Sequence, residues 1–173
     1  MDYDMKNSVA RRVATYGMLI ALAFIFSFVE TLIPIPIPVP VPGIKLGLAN
    51  IVVLVALYSL GMKEAFVISC VRIILMGFTF GNMFSILYSL SGGILSWIIM
   101  SIMKKTKAFS VIGVSIAGGI THNLGQIIVA AIVFETAGMV TYIPVLLVAG
   151  TITGLLTGML GVSLLKIHAK LFR

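Results

Sequence analysis

The sequence predicts an all-α membrane protein: six transmembrane helices in one integral domain over residues 1–173, with both termini cytoplasmic. Three observations predict it. First, 60% of the residues are hydrophobic and only 10% charged, with a mean hydropathy of +1.20. A water-soluble domain of this length has too little interior to hide that much apolar side chain, so a bilayer is the implied solvent. Second, the apolar residues fall into segments near the ~20 residues that a helix needs to cross hydrocarbon. Third, the positive charge is sorted by junction. Lys6, Arg11, Arg12, Lys63, Lys104, Lys105, Lys107, Lys166, Lys170 and Arg173 lie between or beyond alternate segments, as the positive-inside rule requires. The opposite side holds only Lys45. The net charge of +7 is thus spread over several cytoplasmic junctions rather than gathered into one footprint, which excludes a nucleic-acid partner.

The first segment covers residues 13–33 and carries small-residue spacing at Ala10, Ala14, Gly17 and Ala21. It lacks a small-residue cleavage site of the signal-peptide kind and is read as a span. It runs into Pro34-Ile-Pro-Ile-Pro-Val-Pro-Val-Pro42-Gly43, where five alternating prolines forbid helix and favour an extended backbone. This stretch is either a stiff outer connector or an apolar lid over a pocket mouth, to which the adjoining Lys45 would be delivered. The second segment, 46–62, is short. The third, 65–80, has Arg72 at its centre, and the fourth covers 83–103. The fifth, 108–134, carries Gly113, Ala117, Thr121 and Gly125 on one stripe. The sixth, 140–165, carries Gly150, Gly154 and Gly158, a spacing that lets helix backbones approach closely and reads as internal packing. No water-soluble domain is expected at either end, so catalytic or energy-coupling work would fall to a partner.

Arg72 is the residue that demands explanation. A charge at the bilayer centre costs roughly 2.5–3.5 kcal/mol on insertion scales, so such residues face a polar cavity and carry function. Polar side chains at comparable depth supply one: Asn50, Asn82, Tyr88, His122, Asn123 and Gln126, with Ser85 beside Asn82. His122 and Gln126 are four apart and so share a helix face. Arg72 and Lys45 would bring positive charge, and a guanidinium suits bidentate recognition of phosphate or carboxylate. The expected ligand is a small anionic metabolite, with a short isoprenoid phosphate allowed. A flavin-like molecule is a further option, since Tyr88 and Trp97 share the fourth helix. Glu30 and Glu135 read either as interface carboxylates or as partners of Arg72 or Lys45 in the empty state.

The absences bear on catalysis. Asp4 is the last aspartate in the chain, which leaves no acidic pair for Mg²⁺–diphosphate chemistry. No phosphate-binding P-loop, HExxH or nucleophile-elbow sequence occurs, and Cys70 is the single cysteine. Neither an enzyme nor a metal or cofactor site is expected.

The Pro-rich stretch, the string Pro42-Gly-Ile-Lys-Leu-Gly-Leu-Ala-Asn50 and the small residues on the first helix resemble the Gx transporter proteins. That family is also described as heptaprenyl diphosphate synthase component I. It is similar to the substrate-binding S components of energy-coupling factor (ECF) transporters, and the resemblance covers essentially the whole chain. It implies a six-helix, S-component-like bundle in the cytoplasmic membrane, surrounded by lipid, that captures a ligand from outside. It further implies docking through Ala10 and Ala14, or Gly17 and Ala21, onto a transmembrane coupling subunit served by two ATPase subunits. The alternative within the same resemblance is a non-catalytic membrane subunit of a polyprenyl diphosphate synthase.

The charge sorting makes a direct prediction. On a Cys70→Ser background, a cysteine placed at Pro38 should react with a membrane-impermeant thiol reagent from outside the cell. Labelling from the cytoplasmic side alone would reverse the orientation.

Overall fold

The computed structural model describes residues 2–33, 47–135 and 137–171. They form six α-helices: α1 (Asp2–Leu32), α2 (Leu48–Ser59), α3 (Met62–Phe80), α4 (Met83–Thr106), α5 (Val111–Val133) and α6 (Ile143–Leu171), with a 3-10 segment at Ala137–Tyr142 before α6. The Pro-rich stretch and Lys45 lie outside the described residues, so the connector and lid readings rest on sequence.

Four of the helices, at Val9–Leu32, Met83–Thr106, Val111–Val133 and Ile143–Ile167, are long and apolar enough to cross a membrane. The protein is a multi-pass membrane protein by these helices, and the second, third and fifth of the expected spans differ in their bounds. The second shrinks to the 12 residues of α2, about 18 Å of helix, which is short of the ~30 Å hydrocarbon core. Gly47 ends it on one side with a positive φ of 79°, and Gly61 follows it on the other. The third begins at Met62 rather than Ala65, because Lys63 and Glu64 form the first turn of α3, where a carboxylate is favoured by the helix dipole. With Arg72, α3 therefore carries three charges. The fifth starts at Val111 rather than residue 108, since Ser110 caps α5 by accepting from the Gly113 backbone N–H at 3.1 Å.

The bundle is apolar outside and polar at selected points inside. Phe78 is 77% exposed, Ile132 69% and Met18 65%, while Gln126 is 1% exposed. Only hydrocarbon gives such a surface a favourable neighbour. α2 is apolar on every face and packs against α1, α3 and α6. It supplies Val53, Leu54, Ala56 and Leu57 to a core completed by Ala65, Ile68, Met100 and Val114. Two side chains of α4 secure the α2–α3 junction. Trp97 Nε1 donates to the Met62 carbonyl at 2.9 Å, and Lys104 Nζ donates to the Leu57 carbonyl while lying 5.2 Å from the Tyr58 ring centre. That ammonium meets the negative end of α2.

Glycines set the spacing of α4, α5 and α6. A Cβ on Gly119 would lie 2.3 Å from the Gly150 carbonyl oxygen, and one on Gly154 would lie 2.6 Å from Ile116 Cα. The α6 stripe thus packs internally as its spacing predicts. Its contacts on α5, however, are Ile112, Ser115, Ile116 and Gly119 rather than the stripe through Gly113, Ala117 and Thr121. A second close approach joins α4 and α5, where the fifth-helix stripe packs internally through Gly125: a Cβ on Gly92 would lie 2.6 Å from the His122 carbonyl oxygen, and one on Gly125 would lie 2.7 Å from that of Ser91.

These contacts are backbone against backbone, so no rotamer change relieves a larger residue. Gly119→Val should lower thermal stability in mild detergent by at least the roughly 1–3 kcal/mol typical of overpacking. Gly17→Ala should leave it unchanged or raised, because nothing lies within 4 Å of that position and alanine favours helix. Equal effects of the two substitutions would contradict the packing.

Candidate functional site: a polar cavity around Arg72

α2 begins after the buried Gly47, and beside this N-terminus a cavity of about 180 Å³ opens among residues from all six helices. α1 brings Ser27, Glu30 and Thr31; α2 and its cap bring Gly47 and Asn50; α3 brings Arg72, Ile73, Met76, Gly77 and Phe80. Ser85 and Ser89 enter from α4, Gly119, His122 and Asn123 from α5, and Thr153 from α6. The part of the family-like string that is described, Gly47 to Asn50, is thus the floor of this cavity. Gly47 is required there twice over. Its φ is positive, and a Cβ would press to 3.1 Å from Thr157 Cγ2 on α6.

Arg72 is 8% exposed. One end of its guanidinium is held: Nη1 donates to Ser27 Oγ at 3.0 Å, while that hydroxyl donates to the Ala23 carbonyl at 2.9 Å. Nε has no hydrogen-bond partner. Glu30 adds electrostatic attraction. Its carboxylate is itself engaged, accepting from the Leu48 backbone N–H at 2.8 Å, which is the first N–H of α2. No side chain of the N-cap residue serves that helix end, so the α1 carboxylate does.

The structure brings together four of the residues expected at the site: Asn50, Arg72, His122 and Asn123. Asn123 also ties α5 to α6, its Nδ2 donating to the Leu146 carbonyl at 2.9 Å. Three others stand elsewhere. Asn82 caps α4 in a reciprocal box with Ser85, its Oδ1 accepting from the Ser85 N–H at 2.8 Å, and it does not line the cavity. Tyr88 is buried in an aromatic group with Phe84, whose ring also meets Phe134. Gln126 turns into the α4–α5 seam, where its Cγ lies against Gly92 and its amide has no hydrogen-bond partner. Trp97 stacks on Phe66 beside the buried core, so the aromatic pair that allowed a flavin does not meet the cavity. Lys45 lies outside the described residues.

Ser85, read beside Asn82, does line the cavity, whereas sequence reasoning missed Ser27 and Ser89 as cavity groups, together with Thr153. Single hydroxyls in apolar helices carry little signal, since most of them bond their own helix one turn back. Glu30 was legible as a possible partner of Arg72, but not as the group at the end of α2.

A second, much smaller chamber of about 20 Å³ adjoins the first. The two share Gly47, Asn50, Gly119 and Thr153, and the smaller one reaches Ser96, Ser115 and Thr157. Ser115 and Thr157 hydroxyls hydrogen-bond there at 2.8 Å. The space is that of a single water.

The described lining residues offer one guanidinium, one carboxylate, one imidazole, two amides and several hydroxyls. No group of three or more His, Cys, Asp or Glu side chains that could hold a metal ion occurs among the described residues.

Comparison with known proteins is consistent with that geometry. A family model described as heptaprenyl diphosphate synthase component I matches residues 19–164, a stretch that contains every cavity-lining residue. No curated protein and no solved structure matches the chain. With most of its length matched by that model, the chain belongs to the heptaprenyl diphosphate synthase component I family.

Proposed function

We propose that this protein is a non-catalytic, membrane-embedded binding subunit that holds a compact anionic ligand for a partner, and that the partner is a polyprenyl diphosphate synthase. The observation that carries the binding role is the buried Arg72 guanidinium, which lines a cavity of hydroxyls and amides with Nε unspent. Membership of the heptaprenyl diphosphate synthase component I family supports the choice of partner. The ligand class is a phosphate-bearing isoprenoid. At about 180 Å³ the cavity is smaller than the ~300–1,000 Å³ of sites that enclose drug-sized molecules, so it takes a charged head or a short isoprenoid. A long polyprenyl tail would have to lie outside it, in the bilayer.

A second reading, the substrate-capturing S component of an ECF-type uptake transporter, is favoured by two observations. Apart from Arg72, the Lys and Arg residues with described side chains sit at the helix ends remote from the cavity: Arg11, Arg12, Lys63, Lys104, Lys105, Lys107, Lys166 and Lys170. With both termini cytoplasmic and six helices crossing the cytoplasmic membrane, the cavity would face outward. In addition, Ala10, Ala14, Gly17 and Ala21 are all exposed along one side of α1. Purification from native membranes separates the readings. Recovery with a prenyl synthase catalytic chain supports the first, and recovery with a coupling subunit and its two ATPases supports the second.

Both readings share the anion site. Arg72→Ala should weaken binding of dimethylallyl diphosphate by about 2–5 kcal/mol, the usual cost of breaking a buried charge pair. Arg72→Lys should restore part of that loss, because an ammonium has no planar fork. If Arg72 only ties α3 to α1 through Ser27, Arg72→Ala would instead lower thermal stability and leave affinity unchanged in the folded fraction.

A further inference from the structure

Glu30 is the one acidic side chain among the described residues lining the cavity, and it does two things there. It accepts from the Leu48 N–H, occupying the positive end of α2, and it supplies negative charge to Arg72. A helix N-terminus and a guanidinium are the two groups in this cavity that an oxyanion would seek. Both are therefore already answered by a carboxylate of the chain itself, yet Arg72 Nε, in a residue 8% exposed, remains without an acceptor. From this juxtaposition we propose that Glu30 is a displaceable internal anion, which neutralises the empty site and must give up its place when the ligand enters. This deepens the anion-site reading and rests on it.

The exchange selects a class of ligand. A monocarboxylate replaces one negative charge by another and gains little, while two carboxylates held close in a low-dielectric interior repel. An oxyanion with two or more negative charges and several acceptor oxygens does more. It engages the α2 N-terminus and the Arg72 guanidinium together, and its charge exceeds the one displaced. The cavity is thus built for phosphate or diphosphate over simple carboxylates. A soluble molecule or a lipid headgroup can carry the oxyanion, since the chemistry at Arg72 is the same.

The test removes the charge while keeping the hydrogen bond. In Glu30→Gln the amide oxygen still accepts from the Leu48 N–H, so α2 keeps its cap and an incoming anion meets no competitor. Inorganic diphosphate, acetate and a short-chain phosphatidic acid are titrated separately against purified protein in mild detergent. Glu30→Gln should bind diphosphate or phosphatidic acid at least tenfold more tightly than the wild type, and acetate weakly throughout. Its melting temperature should fall without anion and recover when diphosphate is added. Glu30→Asp keeps the charge but withdraws it from the helix end, and should tighten binding by a smaller factor. It serves if the glutamine variant does not fold. Binding that depends on Arg72 but is no tighter, or is weaker, in the Glu30 variants overturns the displacement and leaves the anion site standing. Absence of oxyanion binding to wild type and variants alike overturns both.

Discussion

A guanidinium inside an apolar bundle has to be answered by acceptors and by negative charge, and the interior of this protein is arranged around that requirement. α1 supplies Ser27 to hold Nη1 and Glu30 to balance the charge, so the first helix is committed to the third by a polar tie within an otherwise apolar contact. Burying the ion is expensive, at several kcal/mol even after relaxation. Replacing it with leucine would satisfy the bilayer better. An arginine kept in such a place, with one nitrogen left unpaired, makes sense as the fixed half of a binding site.

The cavity exists because one helix is short and three are close. α2 fills only part of the bundle's depth, and its apolar residues complete the core towards Lys104 and Trp97. On the other side its free end is the cavity floor. The glycine contacts among α4, α5 and α6 hold backbones within touching distance at Gly92, Gly119 and Gly125. His122 and Asn123 lie between two of these contacts, so their backbone is fixed from both sides. Rigid elements of this kind hold binding groups more precisely than loops do.

Much of this was legible from residues alone. Apolar segment length and charge sorting give the six helices, and an isolated Arg72 announces a polar interior. Asn50, His122 and Asn123 followed from depth. What depth does not give is rotation about the helix axis. Gln126 is four residues beyond His122, about 40° apart around α5; both lie against Gly92 of α4, yet His122 lines the cavity and Gln126 does not. Asn82 was expected as a pocket group, but the structure makes it the N-cap of α4, paired with Ser85. The short α2 was visible as a shortened segment, but its missing turns could not be seen as a cavity, because a void is a property of the neighbours. Glycine spacing predicted the α6 contact, yet the partner residues on α5 depend on a crossing geometry that the sequence does not state.

The most direct test of the central claim is an experimental structure determined in lipid or mild detergent with saturating diphosphate. One oxyanion is expected above the α2 N-terminus, accepting from the Arg72 guanidinium at about 2.7–2.9 Å, with Glu30 moved off the Leu48 N–H. A cavity without the anion, in which Arg72 Nε bonds to the protein itself and Glu30 keeps its place, would contradict it.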